Sequence, residues 1–140
     1  MLSWLAGKMI ARNMKAVRAG DPGPALAMDA EDIELTFPGE SSFGPGASGK
    51  KELAQWLDRF VGLGLQIYPD EVVLKGLPWR QTICIRGHIH LDDPADGRVY
   101  DNRYVMWGHI AWGKMYEYEV YEDTEKSRGL DEYLASKGRA

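Results

Sequence analysis

The fold is indicated by residues 99–123, which read VYDNRYVMWGHIAWGKMYEYEVYED. Polar and apolar side chains alternate along this stretch until Trp112 and Gly113 interrupt the pattern. A period of two is typical of a β-strand, and a short break that ends in glycine is typical of a tight hairpin turn. The stretch therefore predicts two antiparallel strands over residues 99–109 and 114–121, joined at the break.

The part of the chain before this stretch continues the strand pattern. Alternation is also found over residues 32–37, 65–68, 72–75 and 80–91, and proline or glycine stands shortly after each segment. Proline and glycine interrupt strands and favour turns, so these segments are predicted to be separate strands. Residues 93–97 are predicted to form the five-residue loop of a further hairpin.

Helices are predicted where apolar side chains recur every three or four residues, over residues 2–17, 50–63 and 125–136. Residues 24–28 begin with proline, which suits the first turn of a helix, and residues 40–49 are predicted to form a loop. Helices followed by a meander of strands predict an α+β domain, in which N-terminal helices cover a curved, mostly antiparallel sheet. The side chains expected to be buried are Phe37, Leu53, Trp56, Leu57, Phe60, Ile83, Ile85, Tyr104 and Val120.

The composition limits the class of protein. The chain has 140 residues, which favours a single domain over residues 1–140, and its 44% hydrophobic and 27% charged residues are typical of soluble globular proteins. Lys and Arg number 17 against 21 Asp and Glu, so a net charge of -4 predicts no nucleic-acid partner and no membrane partner. The lone Cys84 cannot form an intramolecular disulfide, and a cytoplasmic location is expected.

The two hairpin turns predict which side chains share a face of the sheet. A two-residue loop pairs Ala111 with Lys114, and counting back from that pair places Val105 opposite Val120. Aromatic and aliphatic pairs stabilise sheets, so this face is predicted to be structural. Its exposed apolar patch predicts a homodimer through the outer face of the sheet, formed around Val105, Trp107 and Tyr118.

The opposite face is predicted to gather polar side chains from three adjacent strands. The five-residue loop places the basic side chains of the preceding strand on the same face as Asp123. A one-residue slip in either turn would send these groups to opposite faces. The candidate catalytic residues are Asp123, His88 and Arg86, and the candidate substrate-binding residues are Asn102, Tyr104, Tyr121, Trp56 and Phe60.

The role of two helical aromatic residues stays open, and neither a metal nor a cofactor is predicted. Trp56 and Phe60 follow helical spacing, which fits both a pocket wall and an ordinary core. His88 and His90 form a two-histidine pair without a specified third ligand, so no metal site is predicted. The sequence contains no glycine-rich phosphate loop and no dinucleotide fingerprint, and no cofactor is expected.

Several short motifs resemble SnoaL-like domains of the nuclear transport factor 2-like superfamily. They are AEDIEL (30–35), GKKE (49–52), YDNRY (100–104), WGKM (112–115) and EVYED (119–123). The resemblance implies a cone-shaped α+β fold, with a pocket between the helices and the curved sheet. Relatives include polyketide cyclases and proteins of the limonene epoxide hydrolase and ketosteroid isomerase types, and dimers are common among them.

The resemblance transfers only some functional residues to this chain. Ketosteroid isomerases hold a base Asp at the end of the first strand, whereas residues 36–38 read Thr-Phe-Pro. Limonene-type epoxide hydrolases use an Arg and an Asp on a middle strand together with an Asp on the last strand. Arg86, His88 and Asp123 fall at comparable positions, with an imidazole in place of one carboxylate.

Two classes of function remain open for this sequence. The first is a cofactor-independent acid/base enzyme of the cyclase, isomerase or epoxide hydrolase type, with Asp123 as general base. Its small-molecule ligand is expected to be a largely apolar, terpenoid-like or polyketide-like compound. The second is a non-catalytic ligand-binding module of the same fold.

Overall fold

A six-stranded sheet forms the body of the protein, and the computed structural model describes residues 2–139 of the chain. In chain order the strands are β1 (Asp29–Thr36), β2 (Gly46–Ser48), β3 (Gln66–Leu77), β4 (Arg80–Asp93), β5 (Gly97–Ala111) and β6 (Lys114–Glu122). They lie side by side in the order β2-β1-β6-β5-β4-β3. Neighbouring strands are antiparallel, except that β1 and β6 are parallel.

Within the described residues, four helices accompany the sheet: α1 (Ser3–Arg18), α2 (Gly23–Met28), α3 (Gly49–Gly62) and α4 (Thr124–Ser136). The first three come early in the chain, and α1 packs along β3 while α3 packs against β1 and β2. The predicted α+β class, with N-terminal helices over a curved and mostly antiparallel sheet, is therefore confirmed. None of the helices within residues 2–139 is long and apolar enough to cross a membrane.

The hydrophobic core lies between the helices and the inner face of the sheet. Helical spacing brings one apolar stripe of α1 and of α3 onto the strands, and the period of two turns every second side chain of β4 inward. Trp56 is partly buried against this core. The other side chains that were expected to be buried are buried, namely Phe37, Leu53, Leu57, Phe60, Ile83, Ile85, Tyr104 and Val120.

The hairpin of β5 and β6 has the predicted turn, but the predicted register is wrong. Ala111 pairs with Lys114 as expected. A β-bulge at Tyr116 then adds one residue to β6, so Val105 lies opposite Tyr121 instead of the predicted Val120. The two strands stay paired on both sides of an inserted residue. Beyond it, however, each side chain of the bulged strand points to the face opposite to the one predicted.

A second bulge shifts the register between β4 and β5 in the same way. Asp92 pairs with Arg98 as predicted, and Val99 is then left without a partner on β4. His88 consequently lies opposite Arg103 instead of the predicted Asn102. Both hairpins therefore deviate from the expected register by one residue, and side chains that were predicted to share a face are separated by the sheet.

Candidate functional site

A cavity of about 120 Å³ lies between the N-terminal helices and the inner face of the sheet. Its walls are mostly apolar, with side chains from α1, α2, α3, the start of β1 and the four strands β3 to β6. At one end four aromatic rings pack with centroids 5.6 to 6.5 Å apart. These rings belong to Phe37, Phe43, Trp56 and Phe60, so the two helical aromatic residues of the candidate site do line the cavity.

Tyr104 supports the wall of the cavity on the sheet side. Its side chain is buried, and its hydroxyl donates a hydrogen bond of 2.9 Å to the carbonyl oxygen of Tyr68. Gly87 lies directly beneath this contact, where an added Cβ would stand 2.5 Å from the Tyr104 hydroxyl and 2.1 Å from the Tyr68 oxygen. The absence of a side chain at residue 87 therefore allows the tyrosine to cross from β5 to β3.

Asp29 is the most unusual polar residue of the cavity wall. It is the first residue of β1, pairs with Met115 of β6 and is only 7% exposed. Within residues 2–139, no group donates a hydrogen bond to its carboxylate. Burial raises the pKa of Asp29 to about 7, against the opposing effect of the ammonium groups of Lys50 and Lys114. The carboxylate can therefore accept or release a proton near neutral pH.

Tyr118 provides a second polar group without a partner in the cavity. Its side chain lines the same wall, and no hydrogen bond to its hydroxyl is found in the described part of the chain. Burial and the nearby charge of Asp29 both raise the pKa of Tyr118. The phenol therefore stays protonated at neutral pH and can donate a hydrogen bond to a ligand.

Glu122 lies on the cavity wall at the other end of β6, in a different environment. Its carboxylate accepts hydrogen bonds from Ser127 and, over 2.9 Å, from Tyr100. Burial raises the pKa of Glu122, and these two donors oppose that rise. Asn102 completes the group by donating to the Tyr100 hydroxyl over 3.0 Å. Because these groups satisfy one another, we assign this cluster, which includes the candidate residue Asn102, a structural role.

Asp123 does not face the cavity, and its predicted position is wrong. Its side chain is exposed and accepts a hydrogen bond of 3.1 Å from the backbone N–H of Glu125, so it forms the N-cap of α4. The contact with Asn102 is made by the backbone carbonyl of Asp123 and not by its carboxylate. The slipped register of β6 explains the error.

The other polar candidates lie on the outer face of the sheet. Arg86 forms a salt bridge of 2.9 Å with Glu71, and His88 contacts Asp70 at 2.9 Å. Tyr121 is exposed, and its hydroxyl donates a hydrogen bond to the carboxylate of Glu119 on the same strand. The structure therefore separates these three side chains from the cavity, whereas Tyr104, Trp56 and Phe60 line it.

No metal centre is found within residues 2–139, where no three His, Cys, Asp or Glu side chains meet as a ligand set. The histidines of β4 instead stack on an aromatic ring. The centroids of His88 and His90 lie 4.9 and 5.8 Å from that of Tyr68. The two imidazoles thus belong to a surface stack on the outer face.

The sequence reasoning missed Asp29 and placed Tyr118 on the wrong face. The alternating pattern begins at residue 32, so the sequence predicts that Asp29 lies in a connection between a helix and a strand. Its burial depends on the parallel pairing of β1 with β6, a contact between distant parts of the chain. One local signal was present, since Asp29 stands between the apolar residues Met28 and Ala30.

Comparison with known proteins identifies the fold but not a close relative. No protein-family model and no curated protein matches the chain. Solved structures do match it. PrhC from Penicillium brasilianum has a TM-score of 0.75 at 15% identity, and the match covers 95% of this chain and 89% of that protein.

Two further structures extend this result. TerC, co-crystallised with polyporic acid, has a TM-score of 0.69 at 18% identity, with coverage of 86% of this chain and 96% of TerC. An NTF2-like protein from Burkholderia xenovorans has a TM-score of 0.65 at 22% identity, with coverage of 86% and 91%. At these identities the similarity is one of fold. The chain therefore has the nuclear transport factor 2-like fold, as the resemblance of its sequence motifs to SnoaL-like domains implied.

Proposed function

We propose that the protein binds a small, largely apolar carbonyl compound in the cavity and catalyses a cofactor-independent proton transfer on it. The observation that carries this proposal is the buried carboxylate of Asp29, which faces the cavity without a hydrogen-bond partner within residues 2–139. A general base works best when its pKa lies near the operating pH, and the pKa of Asp29 is about 7. Asp29 replaces Asp123 as the proposed base.

The proposed reaction uses Asp29 and Tyr118 together. The Asp29 carboxylate removes a proton from the carbon next to the carbonyl group, and the Tyr118 hydroxyl donates a hydrogen bond to the carbonyl oxygen as negative charge develops there. Such a donor gains strength in an apolar cavity that excludes water. Return of the proton from Asp29 to another carbon of the conjugated enolate gives an isomer. Attack of the enolate on a second carbonyl carbon gives a ring; the π bond of that carbonyl breaks, and its oxygen takes the proton from Asp29.

The size and lining of the cavity support a compact substrate. An apolar cavity of about 150 Å³ in another protein core holds one benzene molecule, and the cavity here measures about 120 Å³. Aromatic walls and few polar groups favour a small neutral ring compound, so only the smallest compounds of the terpenoid or polyketide type would fit. An epoxide hydrolase reaction is no longer supported, because Arg86, His88 and Asp123 lie outside the cavity.

A hydrogen-exchange assay tests the proposal. A panel of neutral cyclic ketones is screened for binding by thermal shift, and ligands that bind are incubated with the protein in D₂O while NMR follows exchange at the carbon next to the carbonyl. We expect exchange with the unmodified protein and with Asp32→Asn, an exposed carboxylate on the same strand. Asp29→Asn should still bind but should not exchange; exchange at the unmodified rate in that variant contradicts the proposal.

A non-catalytic ligand-binding module is the second candidate function. It is favoured by the same cavity, where Asp29 and Tyr118 lack hydrogen-bond partners within residues 2–139 and where most of the remaining wall is apolar. In that case the two groups would only orient the ligand. Tight binding by members of the panel, without exchange even at pH 8, where the Asp29 carboxylate is ionised, would identify the protein as such a module.

We further propose a homodimer through the outer face of the sheet, with one change to the predicted contact. Val105 and Trp107 are exposed on this face, and Tyr121 takes the place that had been assigned to Tyr118. Exposed aromatic side chains grouped on one sheet face are typical of a protein interface. Sedimentation at micromolar concentration is expected to give a dimer for the unmodified chain and a monomer for Trp107→Glu. A dimer that withstands Trp107→Glu would contradict this interface.

A further inference from the structure

A second group of exposed apolar side chains is separate from the outer-face aromatics. They come from the first turn of α1 and from the tips of two hairpins, and we call them the apical patch. The apical patch consists of Leu2, Trp4, Leu5, Leu77, Trp79 and Trp112. Trp112 is 73% exposed, which is the largest exposure of any large apolar side chain in the described residues.

Hydrogen bonds and a ring contact hold the parts of the apical patch in place. The Ser3 hydroxyl hydrogen-bonds both the carbonyl oxygen and the N–H of Leu74, which holds the start of α1 beside the end of β3. The N–H of Trp112 donates a 2.8 Å hydrogen bond to the carbonyl oxygen of Pro78. The rings of Trp79 and Trp112 have centroids 6.2 Å apart. Trp79 and Trp112 therefore form one surface, and the start of α1 is held against the strand that leads to it.

The backbone of Trp112 is strained, which sets this tryptophan apart. Its φ is +52°, and the following Gly113 has a φ of +77°. Hairpin turns with two positive φ angles favour Asn-Gly, because a large side chain is costly in the left-handed region. A tryptophan that is 73% exposed gains little from packing to offset that cost, and strain of this kind clusters at functional positions.

Basic side chains lie at the hairpin tips of the apical patch. Residues 72–85 and 104–116, which form the ends of the two hairpins, contain three Lys or Arg and no Asp or Glu. Lys8, Lys75 and Arg80 are exposed and form no salt bridge within the described residues. Asp70 and Glu71 line the groove beside Trp4, and Glu71 is paired with Arg86. The net charge of -4 therefore does not describe the charge at the hairpin tips.

We propose that the apical patch docks on the surface of an anionic phospholipid membrane. Tryptophan prefers the boundary between lipid and water, where its ring meets both, and each Lys or Arg near an anionic surface contributes about 1 kcal/mol. A patch that combines three tryptophans with unpaired basic side chains fits both requirements. An acidic protein surface would pair with the basic side chains. It would not explain why Trp112 stands at a strained turn tip with no pocket around it. This docking is independent of any reaction at Asp29.

Vesicle co-sedimentation tests the proposal with the full chain. The unmodified protein is expected to bind vesicles of phosphatidylcholine mixed with anionic phosphatidylglycerol, to bind pure phosphatidylcholine weakly, and to dissociate as salt is raised. Lys75→Gln with Arg80→Gln should weaken binding about 30-fold at low salt. Lys51→Gln with Arg128→Gln removes two exposed charges on α3 and α4 and should leave binding unchanged. The variant Trp79→Ala with Trp112→Asn should weaken binding at least about tenfold.

Asparagine is chosen at residue 112 so that weaker vesicle binding cannot be caused by unfolding. Asparagine is favoured in this turn, so the variant is expected to melt at the same temperature as the unmodified protein or above it. Equal binding to neutral and anionic vesicles, or variants that bind as well as the unmodified chain, would overturn the proposal. So would the absence of any vesicle binding. Self-association that disappears with Trp112→Asn would identify the apical patch as a contact between copies instead and would equally overturn it.

Discussion

Replacing Asp29 by Asn is expected to stabilise the folded chain at pH 8 by about 4 kcal/mol. Burial raises the pKa of this carboxyl from 3.8 to about 7 in the folded protein. As the pH rises above 4, the unfolded chain loses the proton first, so the folded state becomes progressively less stable, and the full cost is reached above pH 7. Asparagine does not ionise and escapes this cost.

Urea denaturation at two pH values measures this effect. At pH 4 the unmodified protein and Asp29→Asn should differ little, whereas at pH 8 the variant should unfold at clearly higher urea. Asp32→Asn, which removes an exposed carboxylate, should behave as the unmodified protein at both pH values. A difference between the unmodified chain and Asp29→Asn that is the same at pH 4 and pH 8 would mean that Asp29 titrates normally.

The same substitution is expected to lower turnover by about two to four powers of ten once a substrate is known, because general-base catalysis contributes that much. Stability and activity would then change in opposite directions at one residue. Such opposition is typical of active sites, where a buried charged group costs folding energy and supplies chemistry. A stabilised variant with unchanged turnover would assign Asp29 no catalytic role.

Replacing Gly87 by Ala is expected to destabilise the protein by about 4 kcal/mol, which is large for a single methyl group. The new Cβ would overlap the Tyr68 carbonyl oxygen and the Tyr104 hydroxyl, at 2.1 and 2.5 Å. The tyrosine would have to leave its hydrogen bond, and the backbone oxygen of β3 would have to move. Both the overpacking and the lost hydrogen bond contribute to the expected value.

Thermal denaturation compares this variant with a matched glycine. Gly129 lies within α4 with open space around it, so Gly129→Ala should stabilise the protein by up to about 1 kcal/mol through helix propensity. Gly87→Ala should instead unfold at a much lower temperature and should bind ligands of the ketone panel poorly. Similar melting of the two variants would show that Tyr104 has room to move and does not depend on residue 87.

Much of the fold could be predicted because it follows from hydrophobic periodicity. The spacing of Leu53, Leu57 and Phe60 identified α3, and the break at Trp112 and Gly113 identified the β5–β6 turn, as the structure confirms. Such signals are repeated along each element, so one unusual residue does not remove them. The extent of β1 was less accessible, since its first residues are held by pairing with β6 and not by a local pattern.

The candidate site could be predicted only in part, because it depends on register. A bulge inserts a single residue, and the alternation of apolar and polar side chains on either side of Tyr116 gives no sign of it. Trp56 and Phe60 were placed correctly, since they lie on a helix whose buried stripe is insensitive to such an insertion. Asp123 and Tyr121 were misplaced, because every position beyond the bulge changes face.

The parallel pairing of β1 with β6 links the assembly of the cavity to the order of folding. Asp29 and Met115 are brought together from opposite halves of the chain, and closing so long a segment costs more entropy than forming the hairpins of β3 to β6. The local hairpins can therefore form before β1 joins the sheet. Asp29 leaves water only when β1 docks, so between about pH 4 and pH 7 the chain takes up a proton as that last strand is added.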